Sequence, residues 1–369
     1  MNILVAPDKF KGALNAREVA ENIAKGIRDA LPDTEIEIVP MADGGEGTAE
    51  AICDARGCSW LKCKAHDPLG REINARYGWI EDEKLAVMEM SEAAGMRRIS
   101  ESERDPVCAT TFGVGEMMLD AVKRGAKEII IGLGGSATND GGSGMARALG
   151  FGFDYGPQRE PEQARVTDLR TLKGIKKPKD LKLPKVVAAV DVKNPLLGKN
   201  GATRVYSRQK GANKNGIDVL ERALTRLADV VAEEFGCDYR DKAGAGAAGG
   251  LGFGLLSFCG GKIRSGFDVV GEEVGLETKM KDADVVITGE GSLDRQTLQG
   301  KTPAGVARLA QKLGKKVFAI VGRTDGNRQV HQLFDQVYEL AERGMSEKEQ
   351  MERAAELLRE HAQELAKAL

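Results

Sequence analysis

The sequence has few of the residues that build metal clusters, disulfide frameworks or membrane spans. Its three histidines are too scattered for a histidine-rich metal site, and its six cysteines show no C-x-x-C spacing, so we expect free thiols in a reducing compartment. No basic, apolar leader opens the chain, and no apolar run is long enough to span a bilayer. The net charge of −2 gives no basic excess for nucleic acid or anionic lipid. We therefore expect a cytoplasmic protein without membrane or nucleic-acid partners.

Glycine is abundant instead. The chain has 46 glycines in 369 residues, which exceeds the usual share of about 7%. They cluster where apolar segments end, so they indicate turns that build a site rather than a flexible linker. The length is sufficient for two domains, each with its own core.

The most informative stretch is Glu128–Gly144. Its isoleucines, Ile129–Ile131, predict a buried strand, and a glycine-rich turn with polar side chains follows it. Successive backbone N–H groups in such a turn form a concave site for an anion. The residues of this predicted phosphate-binding turn are Gly134, Gly135, Ser136, Asn139 and Asp140.

Three further apolar segments end in carboxylates next to glycine or asparagine. They are Ile36–Val39 before Asp43, Val186–Val190 before Asp191, and Ala283–Ile287 before Gly289, Glu290, Gly291 and Asp294. A carboxylate at a strand end often only caps the next turn. Four such ends in one chain favour a composite active site at the carboxyl ends of the strands.

Gly300-Lys301-Thr302 looks like part of a phosphate-binding P-loop. That motif needs a glycine five positions earlier, where this chain has Arg295, so we exclude it. Thr302 as a helix cap and Pro303 in the first helical turn explain these residues structurally. Lys301 at the same helix N-terminus is equally consistent with a phosphate contact.

A dinucleotide-binding fingerprint is the main alternative. Gly132–Ala137 matches G-x-G-x-x-A after a strand, which leaves open an NAD-dependent oxidoreductase acting on a hydroxy acid. Against it, Asn139–Gly142 interrupts the helix that the fingerprint requires. A second match, Gly244–Gly249, lies in a predicted small-residue helix over Ala243–Cys259 and indicates close packing.

Both ends of the chain show strand–helix alternation, whereas the middle differs. The first strand, Ile3–Ala6, precedes a helix with a capping box at Asn15 and Glu18. From Trp60 the pattern indicates short strands of a mixed sheet. We predict an α/β fold with a Rossmann/flavodoxin-like doubly wound domain, residues 1–66 and 283–369, and an inserted mixed α/β domain, residues 67–282. The active site is expected in the cleft between them, and 154–182 are expected to form an exposed excursion.

Taken together in order, these segments resemble the type 1 glycerate kinase family. The motifs that carry the resemblance are Ala6–Gly12, Ala42–Thr48, Gly132–Gly142, Asp191–Gly201, Gln209–Ala212, Gly244–Gly250, and Ile287–Asp294 with Gly300-Lys301. They span almost the whole chain. One departure is Ser207-Arg208, where the family usually has Gly-Pro.

The resemblance implies ATP-dependent phosphorylation of D-glycerate, with 2-phosphoglycerate the usual product, by direct in-line transfer. Asp191 is then the candidate base, and Lys11 is the second candidate catalytic residue. The candidate substrate contacts are Asp8, Lys9, Asn194, Gln209 and Lys210. Hard cations prefer carboxylate oxygens, so Asp43 and Asp294 are the candidate magnesium ligands. Phosphates are assigned to the Gly134–Gly142 and Gly289–Gly291 turns and to Lys301. The roles of the acids are interchangeable at this stage, and a homodimer is left open.

Overall fold

The structure is a computed structural model that describes residues 1–156, 165–295, 297–341 and 344–369. The chain forms two compact units. The first comprises Met1–Asp43, Glu50–Arg56 and Ser265–Leu369, and the second comprises Gly44–Ala49 and Gly57–Arg264. Each unit combines helices with a β-sheet, so the predicted α/β class is confirmed.

The strands and helices alternate along most of the chain. The strands are β1 (Asn2–Val5), β2 (Glu35–Ile38), β3 (Ser59–His66), β4 (Glu72–Ile80), β5 (Leu85–Glu89), β6 (Glu128–Gly132), β7 (Gly152–Asp154), β8 (Gly174–Lys176), β9 (Lys185–Val190), β10 (Lys262–Ser265), β11 (Val285–Leu293), β12 (Lys316–Thr324) and β13 (Gln336–Glu339). The helices are α1 (Ala16–Ala30), α2 (Thr48–Arg56), α3 (Ser91–Ala94), α4 (Phe112–Lys123), α5 (Ser143–Ala148), α6 (Ala202–Tyr206), α7 (Lys214–Phe235), α8 (Ala247–Cys259), α9 (Gly266–Glu273), α10 (Leu276–Asp282), α11 (Thr302–Lys312), α12 (Arg328–His331), α13 (Glu347–Glu352) and α14 (Ala354–Ala368).

The first unit is built on a five-stranded parallel sheet in the order β13-β12-β11-β1-β2. Its central strands are apolar because helices cover them, and Val5, Ile287 and Ile320 lie in the core. The predicted capping box at Asn15 and Glu18 is present and starts α1. The connection from β1 goes to β2 on one side, while β11 to β13 lie on the other. This reversal is a topological switch point of a doubly wound sheet.

The second unit has a six-stranded mixed sheet in the order β10-β9-β6-β5-β4-β3, as the sequence pattern indicated. Strands β5, β6 and β9 are parallel, and β3 and β4 are antiparallel neighbours at one edge. Because β3 pairs with β4 over its whole length, it belongs to the second unit, whereas we expected it in the first. Helices α9 and α10 belong to the first unit, whereas we expected them in the second. The domain assignment itself remains a proposal.

Several predicted elements differ from the observed ones. The helix expected over Ala243–Cys259 begins only at Ala247, and Ala248, Gly249 and Gly250 have left-handed backbone angles inside it. The C-terminal segment forms two helices, α13 and α14, and the Ser346 side chain caps the first of them. In the expected excursion over 154–182, the side chains of Leu169 and Ile175 are buried, and 157–164 lie outside the described residues.

No helix in the described part of the chain combines the length and apolar character that crossing a membrane requires.

Candidate active site

The carboxyl edge of the first unit's sheet carries the predicted acidic residues of that unit. Asp8 follows β1, and its backbone N–H donates to the carbonyl of Gly289 on β11 at 2.8 Å. This places Asp8 and Glu290 at the switch point, where doubly wound sheets bind their ligands. The prediction that a site lies at this edge of the sheet stays a prediction.

Asp8 is a buried carboxylate, only 7% exposed. Its Oδ2 accepts from Thr302 Oγ1 at 2.7 Å, and its Oδ1 accepts from the backbone N–H of Lys9 at 2.7 Å. Burial and, after it, the negative charge of Asp43 raise the pKa of Asp8 to about 6, against the opposing effects of Lys9 and the two hydrogen bonds. Asp8 and Asp43 therefore act on each other as like charges.

Glu290 is the second buried carboxylate of this edge, 8% exposed. Its Oε1 accepts from Thr297 Oγ1 at 2.6 Å, and its Oε2 lies 3.6 Å from Lys301 Nζ. Burial, with smaller contributions from the negative charges of Asp8 and Asp294, raises the pKa of Glu290 to about 7, although Lys301 and the Thr297 hydrogen bond oppose the shift. Four predicted acids of the first unit, Asp8, Asp43, Glu290 and Asp294, thus form one electrostatically coupled group.

Two local predictions for this edge are wrong. Gly289 and Gly291 do not form a turn: β11 continues to Leu293, because it pairs in register with β12 through this stretch. Thr302 does not cap α11, since the N-cap position is Lys301 and the Thr302 hydroxyl binds Asp8 instead. Pro303 lies in the first turn, as predicted. The phosphate contacts assigned to Gly289, Gly291 and Lys301 stay predictions.

In the second unit, the glycine-rich turn after β6 is held by a buried lysine. Lys210 is 3% exposed, and its Nζ donates to Ser136 Oγ at 2.6 Å and to the carbonyl of Thr138 at 2.7 Å. Burial lowers the pKa of Lys210 to about 7, and the charge of Asp140 partly opposes this. Lys210 therefore binds the turn itself, while its predicted contact with substrate stays a prediction.

Asp140 also points inward. Its carboxylate accepts from the backbone and hydroxyl of Thr111, at 2.8 and 2.9 Å, and from the backbone N–H groups of Gly142 and Gly144, both at 3.1 Å. Four donors satisfy both of its oxygens, which gives Asp140 a structural role in shaping the turn. Its predicted phosphate contact has no support in this geometry. Helix α5 begins only at Ser143, so the interruption that argued against a dinucleotide fingerprint is present.

The remaining turn residues combine packing with unsatisfied polar atoms. A Cβ on Gly134 would lie 2.4 Å from the Cα of Gly45, so only glycine allows the two chain segments to approach this closely. Asn139 Nδ2 donates to Thr203 Oγ1 at 2.9 Å, whereas its buried Oδ1, like the buried Thr138 Oγ1, has no hydrogen-bond partner among the described residues.

The predicted residues that follow β9 lie nearer the surface. Asp191 comes directly after the strand and is exposed. Burial and, after it, the negative charge of Asp191 raise the pKa of Tyr206. Asn194 Oδ1 accepts from the Tyr206 hydroxyl at 2.7 Å. Gln209 is exposed beside Lys210, and in the first unit Lys11 is exposed after β1. Convergence of Asp43, Asp140, Asp191 and Asp294 in one crevice involves both units and stays a prediction.

Sequence reasoning missed Glu89, the last residue of β5. Its Oε1 accepts from the backbone N–H groups of Gly47 and Ala49, at 2.8 and 3.2 Å, so it occupies the N-terminus of α2. The signal was present, because Glu89 is also a carboxylate at the end of an apolar strand. We missed it because no glycine or asparagine follows it directly.

Among the described residues, no group of three or more histidine, cysteine, aspartate or glutamate side chains is arranged to hold a metal ion. Magnesium usually takes only one or two carboxylates from the protein and completes its shell with water and substrate phosphates. The donor set at the first unit's sheet edge fits that chemistry, since it supplies several carboxylates that interact with one another. The assignment of Asp43 and Asp294 to magnesium stays a prediction.

A cavity of about 1050 Å³ lies elsewhere in the second unit. Its apolar wall includes Phe112, Phe151 and Phe153, and the guanidinium of Arg147 lies 5.9 Å from the centre of the Phe112 ring. None of the predicted site residues lines it. Cavity size alone therefore does not identify the site.

A doubly wound sheet with coupled carboxylates at its switch point, together with a glycine-rich turn in a second α/β unit, defines an α/β enzyme that handles an anionic substrate. Comparison with known proteins narrows the class. The model of the glycerate kinase family matches residues 3–369. The chain therefore belongs to the glycerate kinase family.

Individual proteins that resemble this chain support the same family. A glycerate kinase of Halalkalibacterium halodurans is 39% identical over 368 residues, which cover 99% of this chain and 97% of the relative. A glycerate 2-kinase of Escherichia coli is 41% identical over 345 residues, which cover 90% of this chain and 88% of the relative. The crystal structure of a glycerate kinase 2 from Salmonella typhimurium has a TM-score of 0.83 at 38% identity and covers 100% of this chain and 98% of its own. The oxidoreductase alternative receives no support.

Proposed function

We propose that the chain is an ATP-dependent glycerate kinase that phosphorylates D-glycerate to 2-phosphoglycerate. The observation that carries the proposal is the family match over residues 3–369, with about 40% identity to curated glycerate kinases along nearly the whole chain. The name of the Escherichia coli relative supports the 2-hydroxyl as the acceptor. The coupled carboxylates and the glycine-rich turn supply the groups that such a transfer needs.

Phosphoryl transfer depends on positioning and charge neutralisation more than on covalent chemistry. We assign Asp191, exposed at the end of β9, to orient the glycerate hydroxyl and accept its proton. Exposed Lys11 is assigned to neutralise oxygens that become negative during transfer. Asp8, Lys9, Asn194, Gln209 and Lys210 are the proposed contacts with glycerate.

Magnesium is proposed at Asp43 and Asp294, where it would neutralise phosphate charge when bound. The raised pKa values of Asp8 and Glu290 support a cation near these acids, because both carboxylates lie in a buried region of excess negative charge. Asp43 and Asp294 are less buried than Asp8 and Glu290, whose carboxylates accept from Thr302 and Thr297, so a hydrated cation can reach them more easily.

We propose the cytoplasm as the location and small molecules as the partners. Six free cysteines fit a reducing compartment where ATP is available. Whether the protein is a homodimer is an open question, which its molar mass from gel filtration with light scattering would decide.

The decisive experiment is ³¹P NMR of a reaction that contains the protein, ATP, magnesium and D-glycerate. We expect the resonance of 2-phosphoglycerate, assigned with authentic 2- and 3-phosphoglycerate. Parallel samples contain L-glycerate, EDTA in place of magnesium, or NAD⁺ with D-glycerate monitored by absorbance. A correctly folded protein that releases ADP with no phosphoglycerate, or that reduces NAD⁺, contradicts the proposal. The 3-phospho isomer would contradict only the regiochemistry.

A further inference from the structure

The Gly300-Lys301-Thr302 segment resembles a phosphate-binding loop but contacts two buried carboxylates. Lys301, the N-cap of α11, has its Nζ 3.6 Å from Glu290 Oε2 on β11. Thr302, the first residue of α11, donates to Asp8 Oδ2, which follows β1. Two consecutive residues at one helix N-terminus thus contact acids that belong to two neighbouring strands of the switch point.

The contact between Thr302 and Asp8 is sealed from solvent. Thr302 is 0% exposed and Asp8 is 7% exposed, so water cannot readily replace the hydroxyl. The other carboxylate oxygen accepts from the backbone N–H of Lys9 at 2.7 Å. With one oxygen bonded to the β1 side and the other to α11, rotation of the carboxylate about its χ2 angle is fixed.

We propose that Thr302 is a positioning residue for the kinase reaction, whose hydroxyl holds the Asp8 carboxylate in the orientation in which it acts on the bound substrates. The inference rests on the proposed function and adds a residue to its site. Thr302 acts through Asp8 and makes no substrate contact of its own. If the Thr302 hydroxyl only stabilised the helix N-terminus, substitutions of Thr302 and Asp8 would not have related effects on kcat and KM.

The test compares Thr302→Val, which removes the hydroxyl at nearly constant shape, with Thr302→Ser, which keeps it. Thr288→Val is the matched control, because Thr288 on β11 is also 0% exposed but donates to the carbonyl of Ala6, at 2.8 Å, instead of to a carboxylate. Asp8→Asn supplies the reference kinetic pattern. If Thr302→Val does not fold, Thr302→Ala takes its place, with circular dichroism verifying the fold of every variant.

A hydrogen bond to a charged group is worth enough to change kcat/KM by about 10- to 100-fold. We expect a loss in this range for Thr302→Val, divided between kcat and KM in the same sense as for Asp8→Asn. Thr302→Ser should recover most of the activity, and Thr288→Val should retain it. Equal effects of Thr302→Val and Thr288→Val, or a loss in Thr302→Val that divides between kcat and KM differently from that of Asp8→Asn, overturns the proposal.

A second measurement needs no turnover. Urea unfolding of Thr302→Val, Asp8→Ala and the double variant gives the coupling between the two side chains. We expect the double variant to lose clearly less stability than the sum of the single losses, whereas additive losses contradict the contact. If the wild-type protein phosphorylates no glycerate, the proposed function fails while this coupling still decides whether Thr302 acts on Asp8.

Discussion

Replacing Lys210 by methionine should change how the stability of the second unit depends on pH. Lys210 is 3% exposed, and its Nζ donates to Ser136 and to the Thr138 carbonyl within the glycine-rich turn. Burial lowers its pKa from 10.5 to about 7. Methionine has a similar length and no proton to bind, so the substitution removes this titration from the folded state and the unfolded state alike.

The direction of this pH dependence follows from the number of protons bound to Lys210 in the folded and unfolded states. Between pH 7 and 10.5 the unfolded chain keeps a proton on Lys210 that the folded chain has lost. Stability therefore rises with pH across this window, by about 1.4 kcal/mol per pH unit for one proton. From about pH 7.5 to 9.5 the free energy of unfolding of the wild-type protein, minus that of Lys210→Met, should increase by about 3 kcal/mol.

Tryptophan fluorescence makes this measurable for the relevant unit. Both tryptophans, Trp60 and Trp79, belong to the second unit, so their emission in urea titrations follows its unfolding. Titrations at pH 7.5, 8.5 and 9.5 give the slope for each protein. Lys62→Met is the matched control, because Lys62 on β3 is exposed, and its curve should run parallel to that of the wild-type protein.

Parallel curves for Lys210→Met and the wild-type protein would refute the reasoning. They would mean that Lys210 keeps its proton in the folded state, and that the turn or a bound anion stabilises the ammonium more than burial disfavours it. The predicted contact of Lys210 with an anionic substrate would then gain support.

Three further substitutions test the site. Asp191→Asn should lower kcat by about 10²- to 10⁴-fold in the glycerate kinase assay, whereas Asp82→Asn, an exposed acid, should not, and native activity of Asp191→Asn contradicts its role as base. Gly249 has φ +68°, and Gly249→Ala places a Cβ 2.0 Å from the carbonyl oxygen of Thr138, so it should destabilise the second unit by about 1–3 kcal/mol more than Gly236→Ala. Gly236 is the control because it has a similar φ of +67° but open space around the new Cβ. Equal losses of stability in urea would contradict this packing. Glu89→Ala should cost about 1–3 kcal/mol in the same titrations and Glu89→Gln less, since only the glutamine keeps an acceptor for the α2 amides; no loss in either contradicts the capping role.

Local patterns were sufficient to predict the fold class. The segments before Asp43, Asp191 and the Gly134 turn all form strands. The strands β6 and β9 are runs of β-branched and small apolar residues that are buried on both faces, whereas β2 alternates and is only partly buried. The capping box at Asn15 and Glu18 forms because both of its hydrogen bonds are local. These predictions required no knowledge of distant contacts.

Predictions that depended on distant partners were wrong. Gly289 and Gly291 have the composition of a turn, but pairing with β12 keeps them extended. Thr302 has the sequence context of a helix cap, but Asp8, far away along the chain, takes its hydroxyl. In each case a local preference of about 1 kcal/mol lost to a tertiary hydrogen bond or strand pairing that no short window of sequence contains.

Burial separates the predicted site residues into two groups that residue type alone could not distinguish. Lys210 and Asp140 have charges that could bind a ligand, yet both side chains are buried and form hydrogen bonds with the glycine-rich turn. Lys11, Asp191 and Gln209 are exposed at strand or helix ends, where a substrate can reach them. Because a charged group can neutralise a ligand only if the ligand can contact it, the exposed set should control turnover. The buried set should control the shape of the turn, and loss of a buried member should therefore alter stability as well as kinetics.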